Sequence, residues 1–89
     1  MKVKYEASFL KDLKRLKRAT TKIQVTSIIE EVKSVKDISG IANVKKMKGH
    51  NSAFRLRVGE YRLGFYKEND LVIFSRFMHR KDIYDSFPH

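Results

Sequence analysis

The sequence predicts an α+β domain: an N-terminal strand, an antiparallel helical hairpin packed on a mostly antiparallel twisted sheet of about four strands, and a short C-terminal helical turn. Three observations predict it. Residues 8 to 35 repeat their apolar side chains at helical spacing, residues 54 to 66 alternate apolar and polar around a Gly-Glu pair, and residues 71 to 78 are apolar almost without a break.

Val3 and Tyr5 alternate with Lys2, Lys4 and Glu6, the period of a short half-buried strand. From Ser8 the period lengthens. Phe9, Leu13 and Leu16, with Leu10 beside them, share one helical face, while Lys11, Lys14, Arg15, Lys17 and Arg18 occupy the rest. Thr20 and Thr21 can cap a second helix whose buried stripe is Ile23, Val25, Ile28, Ile29, Val32 and Val35, with Gly40 beyond its end. The short connection between the two makes an antiparallel hairpin the economical arrangement.

After Gly40 the pattern turns to alternation. A less regular strand is expected around Val44 to Met47. Phe54, Leu56 and Val58 then interleave with Arg55 and Arg57, Gly59-Glu60 reads as a two-residue turn, and Tyr61, Leu63 and Phe65 interleave with Arg62, Gly64 and Tyr66. Glu68-Asn69-Asp70 is a second polar turn. The strand Leu71 to Met78 that follows has the continuous apolarity of a central strand covered on both faces. Asp82 to Phe87 suits a terminal helical turn that Pro88 stops.

The chain has 89 residues, enough for a single domain over 1–89 and too few for a second. Its 42% apolar content supports a core and argues against disorder. The absence of cysteine excludes disulfides, thiol catalysis and thiolate metal sites, and fits a reducing cytosol. No apolar run approaches the roughly 18 to 20 residues of a membrane span, so no membrane partner is expected.

Charge is the first functional clue. Twenty Lys and Arg stand against ten Asp and Glu, a formal net charge of +10. Residues 1 to 22 hold eight positive and two negative side chains, and residues 45 to 67 hold seven and one, so the excess falls in two blocks. Such blocks raise the local potential toward polyanions and favour nucleic acid as the partner class. The simpler alternative is a solvated, solubilising surface.

If Phe54, Leu56 and Val58 face the helices, the pleat sends Arg55 and Arg57 to the other side, and Arg62 joins them across the hairpin. Like charges on neighbouring strands repel, so an anionic ligand is expected there, with Tyr66 and Arg76 nearby. Guanidinium groups fork onto phosphate oxygens and aromatic rings stack on unpaired bases, which suits single-stranded RNA better than duplex. The plain alternative is an arginine-lined solvent face whose stems cover apolar neighbours. His79, at the end of the last strand and beside Arg80, can move protons near neutral pH, or can simply cap the strand. His50 falls in a loop and His89 at the terminus. No metal-binding spacing, glycine-rich phosphate loop or nucleophile elbow occurs, so neither metal nor cofactor is expected.

The order of elements, Met47-Lys48-Gly49, the run Phe54-Arg55-Leu56-Arg57-Val58-Gly59-Glu60-Tyr61-Arg62-Leu63 and the run His79-Arg80-Lys81-Asp82-Ile83-Tyr84 together resemble the RelE/ParE superfamily of toxin–antitoxin toxins, in its RelE-like branch. The resemblance implies a ribosome-dependent endoribonuclease that cuts mRNA in the A site without metal. The ribose 2′-OH attacks the adjacent phosphodiester, the 5′-oxygen leaves and a cyclic phosphate results. It places Arg55 and Arg57 where relatives often have lysines that hold or activate the RNA, Arg62 at the arginine that steadies the scissile phosphate, and Arg80 and Tyr84 at the C-terminal pair completing the site. It also implies a cognate antitoxin, the ribosome and mRNA as partners, and a cytoplasmic location. Lys11, Lys14, Arg15, Lys17 and Arg18, with Lys45, Lys46 and Lys48, then become RNA or ribosome contacts. ParE-like members share the fold but poison DNA gyrase, and a non-catalytic RNA-binding module would use the same basic face.

One departure from the family pattern matters. Arginine is not deprotonated in proteins, so Arg55 and Arg57 can stabilise charge but make poor general bases. His79 is the first candidate to take the proton, followed by His50 and Tyr84. Orientation of the mRNA and stabilisation of the phosphorane can otherwise supply most of the acceleration.

Overall fold

A computed structural model describes residues 1–88; His89 lies outside the described residues. The chain runs β1 (Lys2–Tyr5), α1 (Ala7–Lys14), α2 (Ala19–Ser34), a 3-10 turn (Ile38–Gly40), β2 (Val44–Lys46), β3 (Ala53–Val58), β4 (Tyr61–Glu68), β5 (Leu71–His79) and α3 (Ile83–Ser86). The strands form one five-stranded sheet in the order β1-β5-β4-β3-β2. β1 lies parallel to β5 and every other neighbouring pair is antiparallel. The four strands after the helices are those the sequence pattern predicts, and β1 adds a fifth beside β5.

Two tight turns set the registers. Val58 faces Tyr61 across Gly59-Glu60, with Gly59 at φ +59, and Glu68 faces Leu71 across Asn69-Asp70, with Asn69 at φ +53. Both turns need the left-handed conformation at their first residue, which glycine and asparagine accept at low cost.

One sheet face carries the main core. Phe9 from α1, Val25 and Val32 from α2, and Leu56, Leu63, Phe65, Phe74 and Phe77 from the strands are buried together. Tyr5, Phe9 and Phe74 stack with centroids 5.5–6.1 Å apart, so aromatic contacts join β1, α1 and β5. The opposite face carries a smaller cluster of Ala53, Ile83 and Phe87, with Met47, Tyr66 and Met78 against it. Cover on both sides explains the near-continuous apolarity of β5. Its register shifts against β4 at Gly64/Phe65, so the alternation changes phase and Phe74 and Phe77 both reach the helix side.

The helices differ from the sequence pattern in detail. α1 stops at Lys14, and the amide of Leu16 bonds the Leu13 carbonyl as the chain turns, so Lys17 and Arg18 lie in the connection and not on the first helix. Arg18, not Thr20 or Thr21, occupies the N-cap of α2, without a side-chain cap bond. Ile23 is 67% exposed, whereas Val25, Ile28, Ile29 and Val32 do face inward. The helix ends at Ser34 with Val35 extended, so Val35 packs from outside it and Gly40 belongs to the separate 3-10 turn. Leu10 is likewise exposed.

Candidate functional site

Strand register builds the site on the face away from the helices. Phe54, Leu56 and Val58 are in or against the main core, so Arg55 and Arg57 take the opposite side of β3. Arg57 stands directly across from Arg62 of β4, and Lys45 of β2 directly across from Arg55. Asn43, Val44, Lys45, Arg55, Arg57 and Arg62 line a concavity of about 320 Å³. Four cations share it and no acid lines it. Cross-strand like charges destabilise a bare sheet, so the arrangement favours a bound polyanion.

Arg62 is the most constrained of the four. Its Nη1 donates to the carbonyls of Gly59 and Tyr61, both at 2.9 Å, which seats the guanidinium against the hairpin turn and leaves its other donors for a ligand. Arg76 is not part of this group. Its Nε donates to Asp12 Oδ2 at 2.8 Å and its Nη2 to Asp12 Oδ1 at 3.1 Å, a partly buried fork that ties β5 to α1. Tyr66 is also withdrawn, since its ring packs 5.1 Å from that of Phe87 in the second cluster.

Of the C-terminal candidates, His79 and Arg80 meet at the hairpin tip. His79 pairs in register with Tyr61, and its ring meets the Tyr61 edge at 5.8 Å, on the side where Tyr61 stacks with Phe77. The pleat therefore turns His79 away from the arginine face, and it does not line the concavity. Its Nδ1 accepts the Lys81 amide at 3.2 Å, which places the neutral ring's proton on Nε2. Arg80 Nε donates to Glu60 Oε2 at 2.8 Å, and the same oxygen lies 4.0 Å from His79 Nε2. Tyr84 is exposed on α3, whose neighbour Ile83 is buried in the second cluster. His50 is exposed in the loop 47–52, where Lys48 also sits, apart from the arginines.

The remaining basic residues fall in three places. Arg15, Lys17 and Arg18 line a cavity of about 720 Å³ with Thr20, Thr21 and the hairpin residues Val58 to Tyr61. Lys11 and Lys14 are exposed on α1. Lys46, opposite Phe54, points to the helix side and lines a separate hollow with Ile38 and Ile41, so Lys45 and Lys46 do not act together. Among the described residues no group of three or more His, Asp or Glu side chains could hold a metal ion, and no helix is long and apolar enough to cross a membrane.

Comparison with known proteins places this geometry in a family. The model of the ParE toxin of type II toxin–antitoxin systems matches residues 3–84. The chain belongs to the RelE/ParE toxin family. Toxin RelE3 of Methanocaldococcus jannaschii is 40% identical over 89 residues, 99% of this chain and all of that one. The toxin in a RelB-RelE antitoxin–toxin complex from Methanococcus jannaschii superposes with a TM-score of 0.82 at 36% identity, covering 96% of this chain and 99% of that one. A RelE-RelB complex from Pyrococcus horikoshii matches at 0.74 and 16% identity, over 91% and 96%, and there shows the fold alone. This protein is thus a RelE-like toxin of a type II toxin–antitoxin system.

Two residues that shape the candidate site escape sequence reasoning. Asp12 is buried, and it removes Arg76 from the candidate arginines. Its signal was present: an acid three residues from Phe9, on the apolar stripe of an otherwise basic helix. Glu60 carries no such signal, because a turn glutamate is ordinary and its pairing with Arg80 arises only through the β4–β5 register.

Proposed function

We propose that this toxin is a ribosome-dependent mRNA endoribonuclease, cutting in the A site by attack of the ribose 2′-OH on the adjacent phosphodiester, and that a cognate antitoxin restrains it in the cytosol. The four-cation concavity, without a facing acid, carries the reading. Arg62, seated by two carbonyls, steadies the scissile phosphate, while Arg55, Arg57 and Lys45 neutralise the charge that develops on the phosphorane. The relative over the whole length is named Toxin RelE3, and the solved relative at 36% identity is a RelB-RelE complex, which supports the RelE-like branch and an antitoxin partner.

The protonation chemistry is spread thin. Arginine makes a poor general base, and His79 lies on the other side of the sheet from the concavity, so neither is placed to take the proton there. Arg80 is a phosphate ligand held at the hairpin tip by Glu60, and Tyr84 is an exposed ring on α3, available to stack or donate. Most of the acceleration then comes from holding the RNA in line and stabilising phosphorane charge, with the ribosome presenting the substrate. Lys11, Lys14, Arg15, Lys17 and Arg18 supply phosphate contacts that position without reading sequence, and Lys48 extends the same role from its loop.

A translation reaction with a defined mRNA, run with the parent and with Arg62→Ala and followed by mapping of new 5′ ends, tests this. Cuts that require ribosomes and vanish in a folded Arg62→Ala protein are the expected result. Intact mRNA with the parent, alongside gyrase-linked DNA breaks in a parallel assay, would move the protein to the ParE-like activity.

A further inference from the structure

Glu60 stands between two basic surfaces. Among the described residues it is the one acid lining the cavity that also holds Arg15, Lys17 and Arg18, and on its other side it takes the Arg80 guanidinium at 2.8 Å. Both partners are exposed, the Glu60 side chain at 66% and that of Arg80 at 55%, and an exposed pair adds little to stability. Its main effect is to occupy the Nε edge of the guanidinium. The backbone keeps the two residues together independently, because the Arg80 amide donates to the Glu60 carbonyl at 2.8 Å. The carboxylate can therefore swing off without displacing Arg80. A phosphodiester offers the guanidinium the same two-oxygen acceptor that the carboxylate does.

We propose that the Glu60 carboxylate is an internal stand-in for an RNA phosphate, holding Arg80 in the free protein and exchanged for a backbone phosphate when single-stranded RNA binds. The inference rests on the RNA reading above and adds a competitor to it. Glu60 lowers the affinity of the free toxin for RNA in general, so that binding depends on further contacts supplied by the substrate's setting.

The test measures binding of a single-stranded RNA whose riboses are 2′-O-methylated, and so cannot be cut, to the full chain and its variants. Glu68→Gln, at the far end of β4, is the control for the same change of charge. Glu60→Gln should bind roughly two- to fivefold tighter than Glu68→Gln, the strength of an exposed ion pair expressed as affinity. That gain should disappear when Arg80→Ala is added to Glu60→Gln, since the two residues then form a coupled pair in a double-mutant cycle. Equal affinities for Glu60→Gln and Glu68→Gln, weaker binding by Glu60→Gln, or a gain that survives loss of Arg80 would each overturn the exchange while leaving RNA binding in place. Absence of RNA binding by the parent would overturn the RNA reading itself, and the exchange with it.

Discussion

Replacing Asp12 by alanine should be among the most damaging single changes in this chain, and the structure allows the loss to be worked out. The Asp12 side chain is 4% exposed and accepts three hydrogen bonds, two from Arg76 and one from the Phe77 amide at 2.9 Å. Its removal leaves a guanidinium only 18% exposed without its counter-charge, and a buried amide without its acceptor. Breaking one partner out of a buried pair costs about 3–5 kcal/mol. A chain of this length has a total stability of roughly 5–13 kcal/mol, so Asp12→Ala would lose between about a quarter and all of it. In urea, with a slope of about 1–2 kcal/mol/M, the midpoint should fall by roughly 1.5–5 M. Changing both partners to apolar residues of similar size, Asp12→Leu with Arg76→Met, removes the uncompensated charge and should recover the part of the loss due to it, the Phe77 amide still lacking its acceptor. A parent-like midpoint for Asp12→Ala would refute the argument, because it would mean that the fork does not hold α1 to β5 in solution.

Two further outcomes bear on the frame and on the site. A Cβ at Gly64 would stand 2.7–2.9 Å from the Phe87 ring, so Gly64→Ala should lift the second cluster and cost about 1–3 kcal/mol, visible in urea unfolding and as faster proteolysis near α3; unchanged stability would show that Phe87 does not seat on the sheet there. Lys45→Gln should reduce the salt dependence of single-stranded RNA binding by about 0.7 in the slope of log affinity against log salt, whereas Lys46→Gln should leave it nearly unchanged; equal effects would refute their assignment to opposite faces.

The strands were legible because a half-buried sheet writes itself as alternation. Arg55 and Arg57 between Phe54, Leu56 and Val58 suffice to predict the face and, with the Gly59-Glu60 turn, the register of Arg62. Helix ends were less legible. Nothing in the composition of Lys11 to Arg18 distinguishes a helix ending at Lys14 from one continuing to Arg18, because every residue there is a fair helix former and the stop comes from the turn back along the sheet. Ile23 misled for a different reason: at about 100° per residue it lies roughly 160° from Val25, on the face of α2 opposite the buried stripe, so its side chain stays in solvent although the residue is apolar. The β5 register shift was invisible as well. A strand apolar on both sides gives no alternation whose change of phase could be read, and that shift sends His79 to the helix side.

What sequence could not rank was the five arginines of the sheet and its end, which look equivalent as residues. The acids separate them. Asp12 reaches across from α1 and makes Arg76 a structural strut, and Glu60 reaches across the hairpin tip and holds Arg80 by an exposed, exchangeable bond. Arg55, Arg57 and Arg62 have no carboxylate partner among the described residues and share one concavity with Lys45. The strength of each pairing follows from burial: the Asp12 fork is shielded from water and salt, whereas the Glu60 bond is screened by both. A polyanion arriving at this sheet therefore meets three free guanidinium groups, one that it can win by competition and one that it cannot. That gradation leaves free positive charge where Arg62 is already seated by backbone carbonyls, and under the proposed function a poorly placed proton acceptor is tolerable there because stabilising phosphate charge supplies most of the acceleration.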